Sequence, residues 1–187
     1  MNHRDIAREW ERLLEEFFRA RGSSLEAACA ACAGALAAGR KILAFGNGGS
    51  AAEAQHFVAE LVNKFSRPRP ALRAITLSAD TSVLTSIGND ADFASVFSRQ
   101  IEALGDPGDV ALALSTSGGS PNVLAGLLAA RAKGMITVGL TGRGGGAMAG
   151  LCDHLLEVAS SETPRIQEIH LFLLHHLAGE IERRLFP

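Results

Sequence analysis

Five short apolar segments recur along the chain, each followed by a stretch whose apolar residues return with helical spacing. This alternation is typical of an α/β domain, in which each strand is followed by a helix that packs on the sheet. The third and fourth segments are almost continuously apolar, which indicates burial on both faces and therefore a parallel sheet covered by helices. The five predicted strands span residues 41–45, 73–77, 109–114, 136–140 and 154–158.

The remaining pattern predicts helices before and between the strands. Residues 4–20 have one apolar face, and Ser23 and Ser24 favour a new helix start, so a second helix is expected to run to about residue 38. These N-terminal helices are expected to pack on the core or on a neighbouring subunit. No linker or repeat divides residues 1–187, so a single domain is expected. Further helices are predicted near residues 50–64, 80–104 with a break at Gly88 and Asn89, 120–133, 145–150 and 163–184.

The composition is that of an ordinary globular domain, with 47% apolar and 20% charged residues. A net charge of −2 without a basic cluster does not favour nucleic acid or an acidic membrane surface as a partner. The N-terminus leads into a charged helix rather than a signal peptide, and no apolar stretch approaches the ~20 residues that span a bilayer. A cytoplasmic protein is therefore expected.

Two of the three cysteines, Cys29 and Cys32, form a CxxC. They lie in an alanine-rich helical stretch, with no second CxxC to complete a zinc site and no preceding strand as in a redox motif. We interpret them as small buried packing residues. The odd cysteine count, without a disulfide framework, fits a reducing compartment.

Two glycine- and serine-rich turns follow predicted strands where a helix should begin: GNGGSA, residues 46–51, and STSGGSPN, residues 115–122. A helix start presents unpaired backbone N–H groups and the positive end of the helix dipole, and glycine lets the backbone approach an anion closely. The second turn adds four hydroxyl groups. Because parallel strands end at one edge of a sheet, the two turns predict a phosphorylated small molecule bound at that edge.

Neither turn matches the common nucleotide-binding motifs. Ala51 stands where the dinucleotide fingerprint needs a third glycine, and the GK[ST] ending of a Walker loop is missing. A further glycine-rich segment, TGRGGG over residues 141–146, follows the fourth strand. It is interpreted either as a flexible connector or as a cover for the substrate.

Two helices carry residues that could bind a metal. His56 and Glu60 lie one turn apart on one helix face, a spacing found in metal sites but also common by chance. Gln167 and His175 on the last helix are eight residues apart, or ~12 Å along its axis. They could share a metal only through stretched side chains, or if one came from another subunit. This helix carries Gln167, Glu168, His170, His175 and His176 within an otherwise apolar stretch.

Taken together, these residues resemble the sugar isomerase (SIS) domain family, and within it the phosphoheptose isomerases. The serine-rich turn is shared by SIS domains in general, whereas HFVAEL and RIQEIH are more specific to the heptose isomerases. The resemblance covers most of residues 40–180. Its matching blocks are FGNGGSAAEAQHFVAEL (45–61), SIGNDADFASVFSRQIEALGDPGD (86–109), LSTSGGSPNVLAGLLAARAKGM (114–135) and RIQEIHLFLLHHL (165–177).

The resemblance implies a three-layer α/β sandwich of the flavodoxin-like type, with a five-stranded parallel sheet flanked by helices and preceded by N-terminal helices. It implies an isomerase that converts sedoheptulose 7-phosphate to D-glycero-D-manno-heptose 7-phosphate through a metal-assisted enediol. It also implies a homotetramer with active sites at subunit interfaces.

The same resemblance implies roles for particular residues. Glu60 and His175 would form the acid/base pair. One Zn²⁺ per active site would be bound by His56, Glu60, Gln167 and His175. The sugar and its phosphate would contact Asn47, Gly48, Ser50, Ser115, Thr116, Ser117, Ser120 and Gln167.

Two other interpretations stay open within the SIS family. Some SIS proteins bind a replication initiator without catalysis, but they are expected to lack the His/Glu and Gln/His set that is present here. An SIS isomerase or sensor acting on a different sugar phosphate would not be expected to carry the His56 and Glu60 pair of HFVAEL.

Overall fold

Five parallel strands form one sheet in the computed structural model, which describes residues 2–187. Hydrogen bonding places them in the order β2-β1-β3-β4-β5, the flavodoxin-like order, with Ile42 opposite Val110 and Val110 opposite Ile136. Each predicted strand is confirmed to within one residue at either end. The strands are β1 (Ile42–Gly46), β2 (Ala74–Thr76), β3 (Val110–Ser115), β4 (Ile136–Thr141) and β5 (His154–Glu157).

The helices alternate with the strands, as the hydrophobic pattern predicts. They are α1 (His3–Ala37), α2 (Gly48–Val62), α3 (Thr81–Asp90), α4 (Val96–Leu104), α5 (Pro121–Ala132) and α6 (Thr163–Leu185). Short 3₁₀ turns lie at Phe93–Ser95 and Gly146–Gly150. None of the helices in residues 2–187 combines the length and the apolar character needed to cross a membrane.

The sheet separates two hydrophobic cores. Successive residues of a strand point to opposite faces, so Ile42 and Ala44 of β1 belong to one core whereas Leu43 and Phe45 belong to the other. The first core is shared with α1, α2 and α6, and the second with α3, α4 and α5. The expected three-layer sandwich is therefore confirmed.

The break predicted in the N-terminal helices near Ser23 and Ser24 is wrong, because α1 is continuous from His3 to Ala37. Its buried stripe stays in helical phase across that point, from Leu13 and Phe17 to Leu25. Burial of this stripe against α6 and β5 outweighs the weak helix preference of glycine and serine.

The interruption between α3 and α4 also lies later than predicted. α3 runs through Gly88 and Asn89 and ends at Asp90. Asp92 then starts the 3₁₀ turn, since its carboxylate accepts a hydrogen bond from the backbone N–H of Ser95 at 2.8 Å. A capping carboxylate, rather than the glycine, sets this boundary.

Cys29 and Cys32 are fully buried in the first core, which confirms their interpretation as packing residues. Burial raises the pKa of both thiols to about 12. Neither side chain is therefore a thiolate near neutral pH, the form that metal binding and redox exchange require.

Candidate active site

The carboxyl ends of β1 and β3 lie side by side, and the chain leaves them toward opposite faces of the sheet, into α2 and α5. Such a topological switch point opens a crevice where α/β proteins bind ligands. Here a cavity of about 280 Å³ fills the crevice, with contributions from both predicted turns and from α6. Its lining residues are Asn47, Gly48, Gly49, Ser50, Leu114, Ser115, Thr116, Ser120, Thr163 and Gln167.

The residues that precede α2 and α5 direct their side chains away from the helix starts. The amides of Asn47 and Asn122 bond to each other in both directions, at 2.8 Å each. The hydroxyl oxygen of Ser120 lies 3.0 Å from that of Ser115. Within the described residues, neither Asn47 nor Ser120 therefore caps its helix. A helix start without a side-chain cap favours a bound anion.

The segment 141–146 packs behind the serine-rich turn. Gly118 has a φ of +62°, and a Cβ atom on it would lie 2.2 Å from the backbone oxygen of Gly145. The backbone N–H groups of Gly142 and Met148 donate to the carbonyls of Thr116 and Gly118, both at 3.1 Å. This glycine-rich segment therefore supports the shape of the serine-rich turn. The sequence analysis did not anticipate that role, since it interpreted the segment as a flexible connector or as a cover for the substrate.

Gln167 reaches the crevice from the first turns of α6. A Cβ atom on Gly49 would lie 2.3 Å from Nε2 of Gln167, so the amide occupies space that any other side chain at position 49 would need. This close approach brings α6 against the start of α2. It gives a physical reason for a second consecutive glycine after Gly48.

A second polar group forms farther along the same two helices, where His56, Glu60 and His175 come together. Nε2 of His56 lies 2.8 Å from Nε2 of His175 and 3.3 Å from Oε1 of Glu60. One ligand atom from each residue lies within 4.8 Å of those of the other two. His56 is exposed and the other two are half-buried, so the cluster is open to solvent on one side.

The chemistry of this cluster fits a divalent metal. Two imidazoles and a carboxylate are ligand types of zinc sites that keep one position for a reactant. Ligand atoms on a tetrahedral Zn²⁺ are ~3.3 Å apart. The separation between His56 and Glu60 matches this value, whereas the 2.8 Å between the two imidazoles is a hydrogen-bond distance. All three residues belong to one chain, so they need no second subunit to meet. Gln167, the fourth predicted ligand, lies two helical turns before His175 and lines the crevice.

The fold brings two further polar residues to the site that the sequence analysis does not identify. Asn122 is buried and holds the Asn47 side chain. Glu53 is 8% exposed, burial raises its pKa to about 7, and its Oε2 has no hydrogen-bond partner in the described chain. Glu53 precedes His56 by three residues, and this helical spacing is the signal that could have identified it.

Comparisons with known proteins identify the family of this chain. The SIS domain model matches residues 7–142. The phosphoheptose isomerase of Desulfovibrio desulfuricans is 55% identical over 180 residues, which cover 96% of this chain and 86% of the relative. The solved structure of a phosphoheptose isomerase from Neisseria gonorrhoeae is 41% identical with a TM-score of 0.90, covering 96% of each chain. That of a phosphoheptose isomerase from Francisella tularensis is 34% identical with a TM-score of 0.91, covering 98% of this chain and 100% of the other.

The resemblance stated from the motifs is thereby confirmed over nearly the whole chain. The agreement extends to the parallel sheet, whose order and layers match the expectation from those motifs. The chain therefore belongs to the SIS domain family and, within it, to the phosphoheptose isomerases.

Proposed function

We propose that this chain converts sedoheptulose 7-phosphate to D-glycero-D-manno-heptose 7-phosphate through an enediol. The observation that carries the proposal is that the crevice beside the two turns and the cluster of His56, Glu60 and His175 lie along the same two helices. Ser50 and His56 are six residues apart on α2, or about 9 Å along its axis. An open-chain sugar phosphate, with its ester at one end and its carbonyl at the other, suits a site of two such parts.

The crevice would hold the phosphate end of the sugar. Uncharged donors from the Ser115–Ser120 hydroxyls and the N–H groups at the helix starts satisfy a phosphate while leaving it free to exchange. This remote binding energy orients the reactive end of the chain. The proposed contacts to the phosphate and the sugar come from Asn47, Gly48, Ser50, Ser115, Thr116, Ser117, Ser120 and Gln167.

Glu60 and His175 would move the protons. Isomerisation transfers a proton between C1 and C2 and exchanges the protons on their oxygens. We assign the carbon-bound proton to the carboxylate oxygen of Glu60 that would not hold the metal, and the oxygen-bound proton to the ring nitrogen of His175 that would not hold it. The two side chains lie in one cluster, which allows both transfers on one bound substrate.

The proposal includes a metal held by His56, Glu60, Gln167 and His175, with zinc as the metal. When bound, Zn²⁺ would polarise the oxygens at C1 and C2. His56 has no proton transfer assigned to it, so its part is to hold the metal beside Glu60 and His175.

The remaining parts of the proposal concern assembly and location. We propose that residues 1–187 act as one SIS domain in a homotetramer with active sites at subunit interfaces, in the cytoplasm. The homotetramer and its shared active sites are what the resemblance to the phosphoheptose isomerases implies. The placement of His56, Glu60 and His175 within one chain means that a neighbouring subunit would add contacts to the substrate rather than these three residues.

Incubation of the purified protein with sedoheptulose 7-phosphate tests the proposed reaction. We expect the anomeric NMR signals of the aldose to appear, to stop appearing after a chelator removes the metal, and to return with added Zn²⁺. No aldose from the untreated protein would contradict the reaction. Turnover that persists after verified metal removal would contradict the role of the metal but not the proposed reaction.

Ser117→Ala is expected to raise the KM for the sugar phosphate about 10-fold, because hydrogen bonds to a charged group contribute about 1.5–3 kcal/mol. The kcat is expected to stay near that of the unmodified protein, since Ser117 lies in the serine-rich turn and outside the His56, Glu60 and His175 cluster. Steady-state kinetics separate the two parameters. The exposed Ser23→Ala variant is the control, and an unchanged KM in Ser117→Ala would contradict a phosphate contact there.

A further inference from the structure

A single buried carboxylate organises the loop that follows α2. Glu182 of α6 is 1% exposed and accepts hydrogen bonds from the backbone N–H groups of residues 65–67 and from the Ser66 hydroxyl, at 2.7–3.1 Å. Nε of Arg69 adds a further bond at 3.1 Å. Burial alone would raise the pKa of Glu182, but these donors outweigh it and lower the pKa to about 2. The carboxylate therefore stays charged and fixes residues 65–69, here named the Glu182 turn.

Arg69 connects the Glu182 turn to the end of α2. Its Nη2 donates to the backbone oxygen of Glu60 and its Nη1 to that of Leu61, both at 2.7 Å. Carbonyl groups in the last turn of a helix lack partners within the helix, and a cation there also complements the helix dipole. The Arg69 side chain is 1% exposed, so water does not compete for these bonds. The backbone of Glu60 is thereby tied to Glu182.

Phe65 connects the same turn to His175. The two rings lie with centroids 5.8 Å apart and planes inclined at 31°. Gly179 leaves room for the phenyl ring, because a Cβ atom at that position would lie 3.2 Å from it. His175, Gly179 and Glu182 are at helical positions i, i+4 and i+7, so they share one face of α6. Packing on Phe65 restricts the orientation of the His175 imidazole.

We propose that Glu182 is a positioning residue, which acts through Arg69 and Phe65 to align Glu60 and His175 as metal ligands and proton-transfer groups. The inference rests on the proposed function of those two residues. Helices α2 and α6 each supply part of the cluster, and the Glu182 turn contacts both helices close to it. The phosphate crevice lies at the other ends of α2 and α6, so its shape should not depend on the Glu182 turn.

Phe65→Ala tests the inference at low cost to folding, since the ring is 38% exposed. Phe18→Ala is a matched control, because Phe18 is 40% exposed and its ring lies 6.3 Å from that of His176, the neighbour of His175 on α6. We expect Phe65→Ala to weaken Zn²⁺ binding about 10-fold, the lower limit for residues that support a metal ligand. We also expect it to change the visible absorption of bound Co²⁺ and to lower kcat with little change in KM. Phe18→Ala should change none of these.

Glu182→Gln extends the test to the carboxylate itself. A neutral amide cannot reproduce the charge that binds Arg69 and the three N–H groups, so we expect the same loss of Zn²⁺ affinity together with a lower Tm. If this variant does not fold, the comparison of Phe65→Ala with Phe18→Ala tests the positioning role by itself. Zn²⁺ affinity and Co²⁺ spectra that are unchanged in Phe65→Ala would overturn the positioning role. Unmodified protein that binds no Zn²⁺ would instead overturn the proposed metal site, and with it this inference.

Discussion

Glu60→Gln is expected to abolish measurable turnover, at or beyond the upper end of the ~10²–10⁴-fold that a general acid–base group contributes. The amide can neither accept the carbon-bound proton nor supply a charged ligand beside His56. The fold should persist, because the interaction that secures the end of α2 uses the backbone oxygen of Glu60, which the substitution retains. His175→Ala is expected to have a similarly large effect. The measurement is kcat, with circular dichroism to verify folding.

Glu102→Gln is the control for loss of a carboxylate. Glu102 is an exposed residue of α4 that pairs with Arg99, outside the crevice and the cluster. The Glu102→Gln variant should leave kcat unchanged. If Glu60→Gln and His175→Ala both kept kcat near that of the unmodified protein, the assignment of the acid/base pair would be wrong.

Gly118→Ala is expected to weaken sugar-phosphate binding by about 10²-fold, an effect typical of misplacing a substrate-orienting group by about 1 Å. At φ +62° a side chain is strained, and the new Cβ atom would lie 2.2 Å from the Gly145 carbonyl, which is backbone and has little room to move. The serine-rich turn must therefore shift away from segment 141–146. Calorimetric titration with the sugar phosphate measures the loss, and thermal unfolding should show a lower Tm.

Gly150→Ala is the matched control for this substitution. Gly150 ends the 3₁₀ turn next to segment 141–146, and a Cβ atom there would have no atom within 4 Å among the residues described. Its affinity and Tm should match those of the unmodified protein. A Gly118→Ala variant with undiminished affinity would contradict the supporting role of segment 141–146.

Hydrophobic periodicity predicted the central strands β1, β3 and β4 well because burial on both faces leaves an almost continuous apolar record in the sequence. The two turns at β1 and β3 were also predictable, since glycine and serine are selected there for local backbone reasons. The same local reasoning failed at Ser23 and Ser24. The helix continues through them because contacts with α6 and β5, which are distant in sequence, decide the outcome.

The contacts that shape the site were much less predictable. The pairing of Asn47 with Asn122 joins residues from two separate turns, and the approach of Gln167 to Gly49 joins two helices. Neither contact produces a periodic pattern in the sequence from which it could be predicted. The bonds from residues 65–67 to Glu182 involve backbone N–H groups, which carry no residue-specific signal at all. Such contacts follow from the fold and become visible only once it is known.

Diffraction at the zinc absorption edge, from crystals grown with Zn²⁺ and sedoheptulose 7-phosphate, most directly tests whether one pocket holds both the metal and the sugar. We predict an anomalous peak about 2.0–2.2 Å from donor atoms of His56, Glu60 and His175 of a single chain. The phosphate of the same sugar should lie in the serine-rich turn at residues 115–120. Zinc bound elsewhere, or imidazoles of His56 and His175 that face separate environments, would contradict the account.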